Sequence, residues 1–167
     1  DPAARTALEE VADRAFAALD DVPGDPAFDL ALLLDVVEHV PDPAAFLREV
    51  VTRVRPGGTL LLSVPNVAHW SVRGALLAGE FPYAARGILD RTHLRFFTRR
   101  SLRALVGDVG LSLEAEAGSI TPLEFAVPDA VAERAPGWLF GRGLRQTLVR
   151  VAPGLCAYQL LARARRP

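Results

Sequence analysis

The stretch FDLALLLDVVEHVPDPAAFLREVVTRVRPGGTLLLSVPN, residues 28–66, constrains this chain more than any other. Phe28–Leu34 is a continuous apolar run after the turn-rich VPGDPA, the length of a strand buried on both faces of a parallel sheet. Asp42-Pro43 predicts a helix start, an aspartate N-cap followed by proline at the first helical position. Behind it Phe46, Leu47, Val50, Val51 and Val54 form one apolar stripe, with Arg48, Glu49, Thr52 and Arg53 on the wet side. Arg55-Pro56-Gly57-Gly58 ends the helix, and Thr59–Asn66 reads as a second buried strand. Strand, helix and strand within about 40 residues make a right-handed βαβ unit, which commits the chain to an α/β fold on a parallel sheet.

The flanks are read around that unit. Leu8, Val11 and Ala12 have helical spacing, and RAFAAL, Arg14–Leu19, is short and apolar enough for a strand. Residues 67–97 mix aromatics, glycines and arginines, which predicts one helix and an irregular lid. Thr98 caps a helix through RRSLRALVGDV that stops at Gly110, and LSLEAEAGSI alternates like a strand with one wetter face. Residues 119–152 form a variable, proline-containing segment expected to hold one or two helices. LCAYQLLARAR, Leu155–Arg165, reads as a closing strand, and ARARR at the end most simply as a solvated tail.

Composition excludes several functions. The chain has 167 residues, half of them hydrophobic, and its 19 basic residues nearly balance 20 acidic ones, so no basic footprint for nucleic acid is present. All the basic residues are arginine, which removes every mechanism that needs a lysine: Walker-type phosphate loops, Schiff-base aldolases and pyridoxal enzymes. The apolar runs are too short to span a membrane. The single Cys156 has apolar neighbours and reads as core, which suits a reducing, cytoplasmic setting. The chain lacks methionine and opens abruptly on DPAARTALEEVA, so it reads as a segment of a longer protein.

Asp35, Glu38 and His39 crowd the junction where the first buried strand ends. If a helical turn begins after Leu34, they fall at i, i+3 and i+4 and share one face.

FDLALLLDVVEHVPDP, LREVVTRVRPGGTLLLSVPN and GILDRTHLRFFTRRSLRALVGDVGL, in that order, resemble the class I S-adenosylmethionine-dependent methyltransferases. The resemblance is nearest to the group that includes ubiquinone-biosynthesis O-methyltransferase-like enzymes. It implies a Rossmann-like, seven-stranded sheet with its last strand antiparallel, here missing its first two strands. RAFAAL would be the third strand, Phe28–Leu34 the fourth and Thr59–Val64 the fifth; Leu111–Ser119 and Leu155–Arg165 would be the last two. The whole chain would then be one partial methyltransferase domain, 1–167. It implies S-adenosylmethionine across the carboxyl ends of the strands, bordered by Leu34 and Asp35, with Asp20 toward the adenine. The family's glycine-rich cofactor loop and its ribose-binding acidic residue are not in this sequence, so these residues alone are expected to bind the cofactor weakly.

Three readings of the ionisable cluster stay open. The resemblance implies a metal site: Asp35, Glu38 and His39 match a Glu-x-x-Glu-His pattern with Asp in the first place, and His93 stands where related RNA enzymes carry a later histidine. Such a mixed N/O set suits Mg, Mn, Fe or Zn acting as a Lewis acid. In the second reading Asp35, His39 and His93 form the catalytic set without metal, a histidine acting as general base. In the third, the cluster only satisfies backbone groups at the strand end and Asp35 caps a turn. Asn66 would bind the acceptor or form a turn, and Trp70, Phe81 and Tyr83 would cover the acceptor or join the core. His69 is expected at the surface. Arg86, Arg91 and Arg95 would meet an anionic acceptor or face solvent. The expected function is O-methylation of a small-molecule or glycan-linked acceptor, with nucleic acid and membrane unexpected as partners. The alternatives are a non-catalytic methyltransferase-like binding domain and a nicotinamide oxidoreductase.

Overall fold

A computed structural model describes residues 10–22, 28–120 and 142–167. Four strands form one sheet in the order β1-β2-β4-β3: β1 is Phe28–Leu34, β2 Val54–Pro65, β3 Ser112–Gly118 and β4 Gln159–Arg165. β1 and β2 are parallel, from Leu30 opposite Thr59 to Leu34 opposite Ser63, and β4 runs antiparallel to both β2 and β3. This is the carboxy-terminal part of the expected seven-stranded order, with the antiparallel strand wedged between its neighbours.

Two helices begin at the caps the sequence marks, while Leu155 and Cys156, expected in the closing strand, are helical and the strand starts only at Gln159. α1, Pro43–Arg53, is capped by Asp42, whose Oδ1 accepts from the Ala45 N–H at 2.9 Å. α2 is Trp70–Leu77. α3, Arg99–Asp108, starts at Thr98, which exchanges cap bonds with Ser101. α4, Arg142–Val151, and the short α5, Pro153–Cys156, lead into β4. Arg99 and Arg103 of α3 both grip Glu116 of β3, and that pairing, led by Arg103, holds the Glu116 carboxyl below the usual range.

Leu33, Leu60, Leu62 and Val64 of the sheet, Leu47 and Val50 of α1, and Leu102 and Val106 of α3 make the main core. A satellite cluster of Val72, Ile88 and Leu89, packed with Phe81, Phe96 and Tyr158, orders the 67–97 segment.

Several expectations need correction. RAFAAL is not a strand: Leu19–Asp21 is one 3₁₀ turn and the residues before it are irregular. A strand persists only by pairing, and the doubly wound order puts the third strand beyond two neighbours that the described residues do not contain. For the same reason β1 is not buried on both faces: among the described residues it pairs only with β2, and Leu30, Leu32 and Leu34 stay exposed. β2 starts directly at Val54, and a register shift absorbs the Arg55–Gly58 turn. Arg53 is buried rather than wet, because its guanidinium donates to the Glu49 carbonyl at 2.9 Å and pairs with the Glu49 carboxylate. The ARARR tail is strand: Ala162 and Ala164 are buried, Arg163 and Arg165 pair with Glu114, and Arg166 donates to the Val51 and Val54 carbonyls. The helical reading of Leu8–Ala12 falls mostly outside the described residues and Val11 and Ala12 are not helical, while that of residues 121–141 lies outside them altogether.

Candidate functional site

The carboxyl ends of β1, β2 and β3 and the amino end of β4 meet on one rim of the sheet. An open cavity of 500 Å³ lies there, lined by Asp35, Glu38, Pro65, Gly87, His93, Ser119, Ile120, Tyr158 and Gln159. Open α/β sheets bind ligands at this rim.

The turn after β1 decides which side chains face each other. Asp35 has φ 55°, a left-handed conformation that costs a non-glycine residue roughly 1–2 kcal/mol but suits a short polar side chain with local partners. Only then does a 3₁₀ turn form, at Val37–His39. The expected sharing of one face by Asp35, Glu38 and His39 is therefore broken. Asp35 turns toward the sheet, where its Oδ1 accepts from the Ser63 hydroxyl at 2.9 Å and its Oδ2 from Gln159 Nε2 at 2.7 Å.

Glu38 and His39 meet His93 instead. One ligand atom from each of the three lies within 4.8 Å of the other two. The Glu38 carbonyl accepts from the Leu94 and Arg95 N–H groups at 2.8 and 3.0 Å, and the Arg95 guanidinium donates to the Pro41 carbonyl at 2.9 Å. Those bonds fold the end of the lid segment over the turn and carry His93 to within a 4.9 Å ring-centroid distance of His39.

The electrostatics of this trio are unusual. Glu38 is 1% exposed, and among the described residues neither carboxylate oxygen has a hydrogen-bond partner. Burial, with Asp35 nearby, pushes its carboxyl up from 4.5 to about 6. The two imidazoles point their Nδ1 atoms at backbone carbonyls, His39 at Thr92 (3.2 Å) and His93 at Ile88 (3.1 Å). A carbonyl only accepts, so Nδ1 carries a proton, and in the neutral ring the lone pair is then on Nε2. An orphaned buried carboxylate beside two imidazoles with free Nε2 atoms is a donor set that fits a divalent cation or a shared proton. Metal bonds of roughly 2.0–2.2 Å put tetrahedral ligand atoms about 3.4 Å apart, so ligand atoms that lie within 4.8 Å of one another would have to close by up to about 1.4 Å.

The other expected residues lie elsewhere. Asp20 is exposed on its 3₁₀ turn and Leu34 is exposed at the end of β1, both outside the cavity lining. Asn66 is fully buried: its amide donates to the Ala157 and Gly154 carbonyls at 2.8 and 3.2 Å, and its Oδ1 accepts from the Ala68 N–H. That geometry is the turn, not an acceptor contact. Asn66→Ala would strand those three groups in a dry interior, and about 3 kcal/mol of stability should be lost in urea unfolding; an unchanged midpoint would refute the assignment.

His69 is buried rather than at the surface, because it caps α2: Nδ1 accepts from the Ser71 N–H and lies 2.7 Å from its hydroxyl. Burial lowers its pKa to about 4, so the ring stays neutral. Trp70 is half-exposed against His69, and Tyr83 is exposed while Phe81 packs in the satellite core. Arg86 and Arg91 are exposed and line no part of the cavity.

Sequence reasoning missed Ser63, Gly87, Ser119, Tyr158 and Gln159. Gln159 reaches Asp35 across 124 residues of chain, and no local spacing signals such a contact.

Residues 2–116 match the profile of the family described as "Methyltransferase domain". The ubiquinone biosynthesis O-methyltransferase of Parvibaculum lavamentivorans is 32% identical over 99 residues, covering 58% of this chain and 38% of that protein. The chain thus spans well under half the length of that curated relative. Among solved structures, a SAM-dependent methyltransferase of Thermotoga maritima superposes with a TM-score of 0.55 at 15% identity, over 90% of this chain and 62% of that one. A SAM-dependent methyltransferase of Methanosarcina mazei gives 0.51 at 18% identity, over 92% and 66%. At such identities the likeness establishes the class I Rossmann-like fold.

Proposed function

We propose, because this chain belongs to the methyltransferase domain family, that it supplies the acceptor half of an S-adenosylmethionine-dependent O-methyltransferase acting on a small-molecule or glycan-linked hydroxyl. The single observation that carries this reading is the buried, unpartnered Glu38 carboxylate facing His39 and His93 at the strand-end rim. A purely structural carboxylate would be expected to find hydrogen-bond donors, and among the described residues this one finds none.

When bound, S-adenosylmethionine supplies an electrophilic methyl group. This chain's residues do the rest. Asp35, fixed by Ser63 and Gln159, presents a carboxylate at the cavity wall beside the rim. Glu38, His39 and His93 would hold a divalent cation of the Mg or Mn type, which would lower the pKa of an acceptor hydroxyl as a Lewis acid. Asp35 is not in that ligand set, so the site has two histidines and one carboxylate rather than the four groups expected. Without metal, the same tautomer leaves His93 Nε2 free to take the hydroxyl proton itself. The lid segment is stitched to Glu38 through Leu94 and Arg95, and of the trio Glu38 is buried while His39 stays exposed. Transfer from a sulfonium then needs little beyond in-line positioning.

Among the described residues no helix is long and apolar enough to cross a membrane. Calorimetry on the whole protein tests the proposal. S-adenosylmethionine should bind, and Mn²⁺ should bind to the wild type but at least about tenfold more weakly to His93→Ala. Cofactor binding without any Mn²⁺ binding would leave His93 as a base and remove the metal. No cofactor binding would favour a non-catalytic domain.

A further inference from the structure

We propose that Tyr158 is a positioning residue for the imidazole pair: its hydroxyl holds the Ile88 peptide, and the Ile88 carbonyl fixes the tautomer of His93. The inference rests on reading Glu38, His39 and His93 as the reacting cluster, but its test separates the two.

Tyr158 stands just before β4, and its backbone is tied from both sides. Its N–H donates to the Ser119 carbonyl at 3.0 Å and its carbonyl accepts from the Asn66 N–H at 2.9 Å, so the residue is fixed to the ends of β3 and β2. From that anchor the ring packs into the satellite core with Val72, Ile88 and Leu89, and the hydroxyl hydrogen-bonds the Ile88 backbone.

Gly87 provides an independent sign of how closely the chain approaches there. It has φ +92°, and a Cβ built on it would lie 2.5 Å from the Tyr158 hydroxyl oxygen but 3.8 Å from the ring carbon that carries it. The backbone is pressed against the hydroxyl itself. Only glycine combines that φ with that approach.

From Ile88 the effect passes along a loop with little slack. Ala84 donates to the Leu89 carbonyl at 2.9 Å, Arg91 to the Ala84 carbonyl at 3.0 Å, and His93 to the Asp90 carbonyl at 3.2 Å. Thr92 is held by Asp90 through both its N–H (2.8 Å) and its hydroxyl (2.7 Å). The two carbonyls that receive the imidazole Nδ1 protons, Ile88 and Thr92, therefore belong to one stitched unit, and the Tyr158 hydroxyl is its tie to the sheet. Groups that orient a metal-binding or proton-accepting histidine through its second nitrogen commonly matter about 10- to 100-fold in affinity or activity.

Tyr158→Phe in the whole protein removes the tie and keeps the ring. In metal-free protein at pH 8, nitrogen NMR should show the His93 Nδ1–H tautomer dominant in the wild type and shifted toward Nε2–H in the variant. Mn²⁺ affinity should fall about tenfold. Gly87→Ala, which drives the hydroxyl off Ile88 without deleting it, should shift the tautomer in the same direction and serves if Tyr158→Phe misfolds. An unchanged tautomer in the folded variants overturns the proposal. If the wild type binds no Mn²⁺, the metal reading fails while the tautomer still decides the role of Tyr158.

Discussion

Glu38→Gln should leave the protein more stable and far less active. At pH 8, without metal, the wild type holds a carboxylate that is 1% exposed and, among the described residues, has no donor to either oxygen. Burial raises its folded-state pKa from 4.5 to about 6. Between those values the folded protein binds the proton more tightly than the unfolded chain. Stability from this group is therefore fully present below pH 4.5, declines as pH rises, and is lost above about 6, a difference of about 2 kcal/mol. Glutamine cannot ionise. The variant should match the wild type near pH 4 and exceed it by about 2 kcal/mol at pH 8 in urea unfolding of chelator-treated protein.

Added Mn²⁺ should reverse the ranking. At a hundredfold excess over the dissociation constant, a ligand that binds only the folded state contributes about 2.7 kcal/mol. The wild type should gain this and the variant should not. Turnover on an acceptor should fall at least about a hundredfold, since Glu38 is the only carboxylate of the trio. A variant that is less stable at every pH and fully active would make Glu38 a structural residue and end the metal reading.

Gly118→Ala should cost about 2–3 kcal/mol, a large effect for one methyl group. A Cβ there would lie 2.5 Å from the Ala157 Cβ and 2.9 Å from Val149 Cγ1. Ala157 has no room to yield: it is fully buried, and its carbonyl is held by the Asn66 amide. The displacement would reach the cavity rim, because the next residue, Ser119, exchanges backbone bonds with Tyr158 and Gln159. Ala157→Gly in the same chain should recover most of the loss by vacating the nearer contact, as a thermal melt or urea midpoint would show. A Gly118→Ala protein within about 0.5 kcal/mol of the wild type would mean the sheet edge is looser than its geometry indicates.

The parts legible in the sequence were those written in local repeats. The α1 stripe, with Leu47 and Val50 buried, and the caps at Asp42 and Thr98 follow from neighbours three or four positions away. The class of fold followed from the βαβ unit, and the resemblance pointed to the strand-end rim, where Glu38 and His93 do line one cavity. The reading failed where a residue's state depends on a distant partner. RAFAAL has strand composition but, among the described residues, no neighbour to pair with, and Arg53 has a wet-face position but a buried guanidinium.

The sequence by itself determined the parallel βαβ unit, its helix boundaries and the presence of acid and imidazole groups at a strand end. Periodicity and capping are interactions over a few residues, and they survive without knowledge of the rest of the chain. Only the tertiary structure decided that Asp35 leaves the cluster for Ser63 and Gln159 while His93 joins it, and that Tyr158 and Gly87 hold the loop between them. Those choices hang on one left-handed residue after β1 and on the insertion of an antiparallel strand between β2 and β3, which brings residues far apart in the chain to one rim.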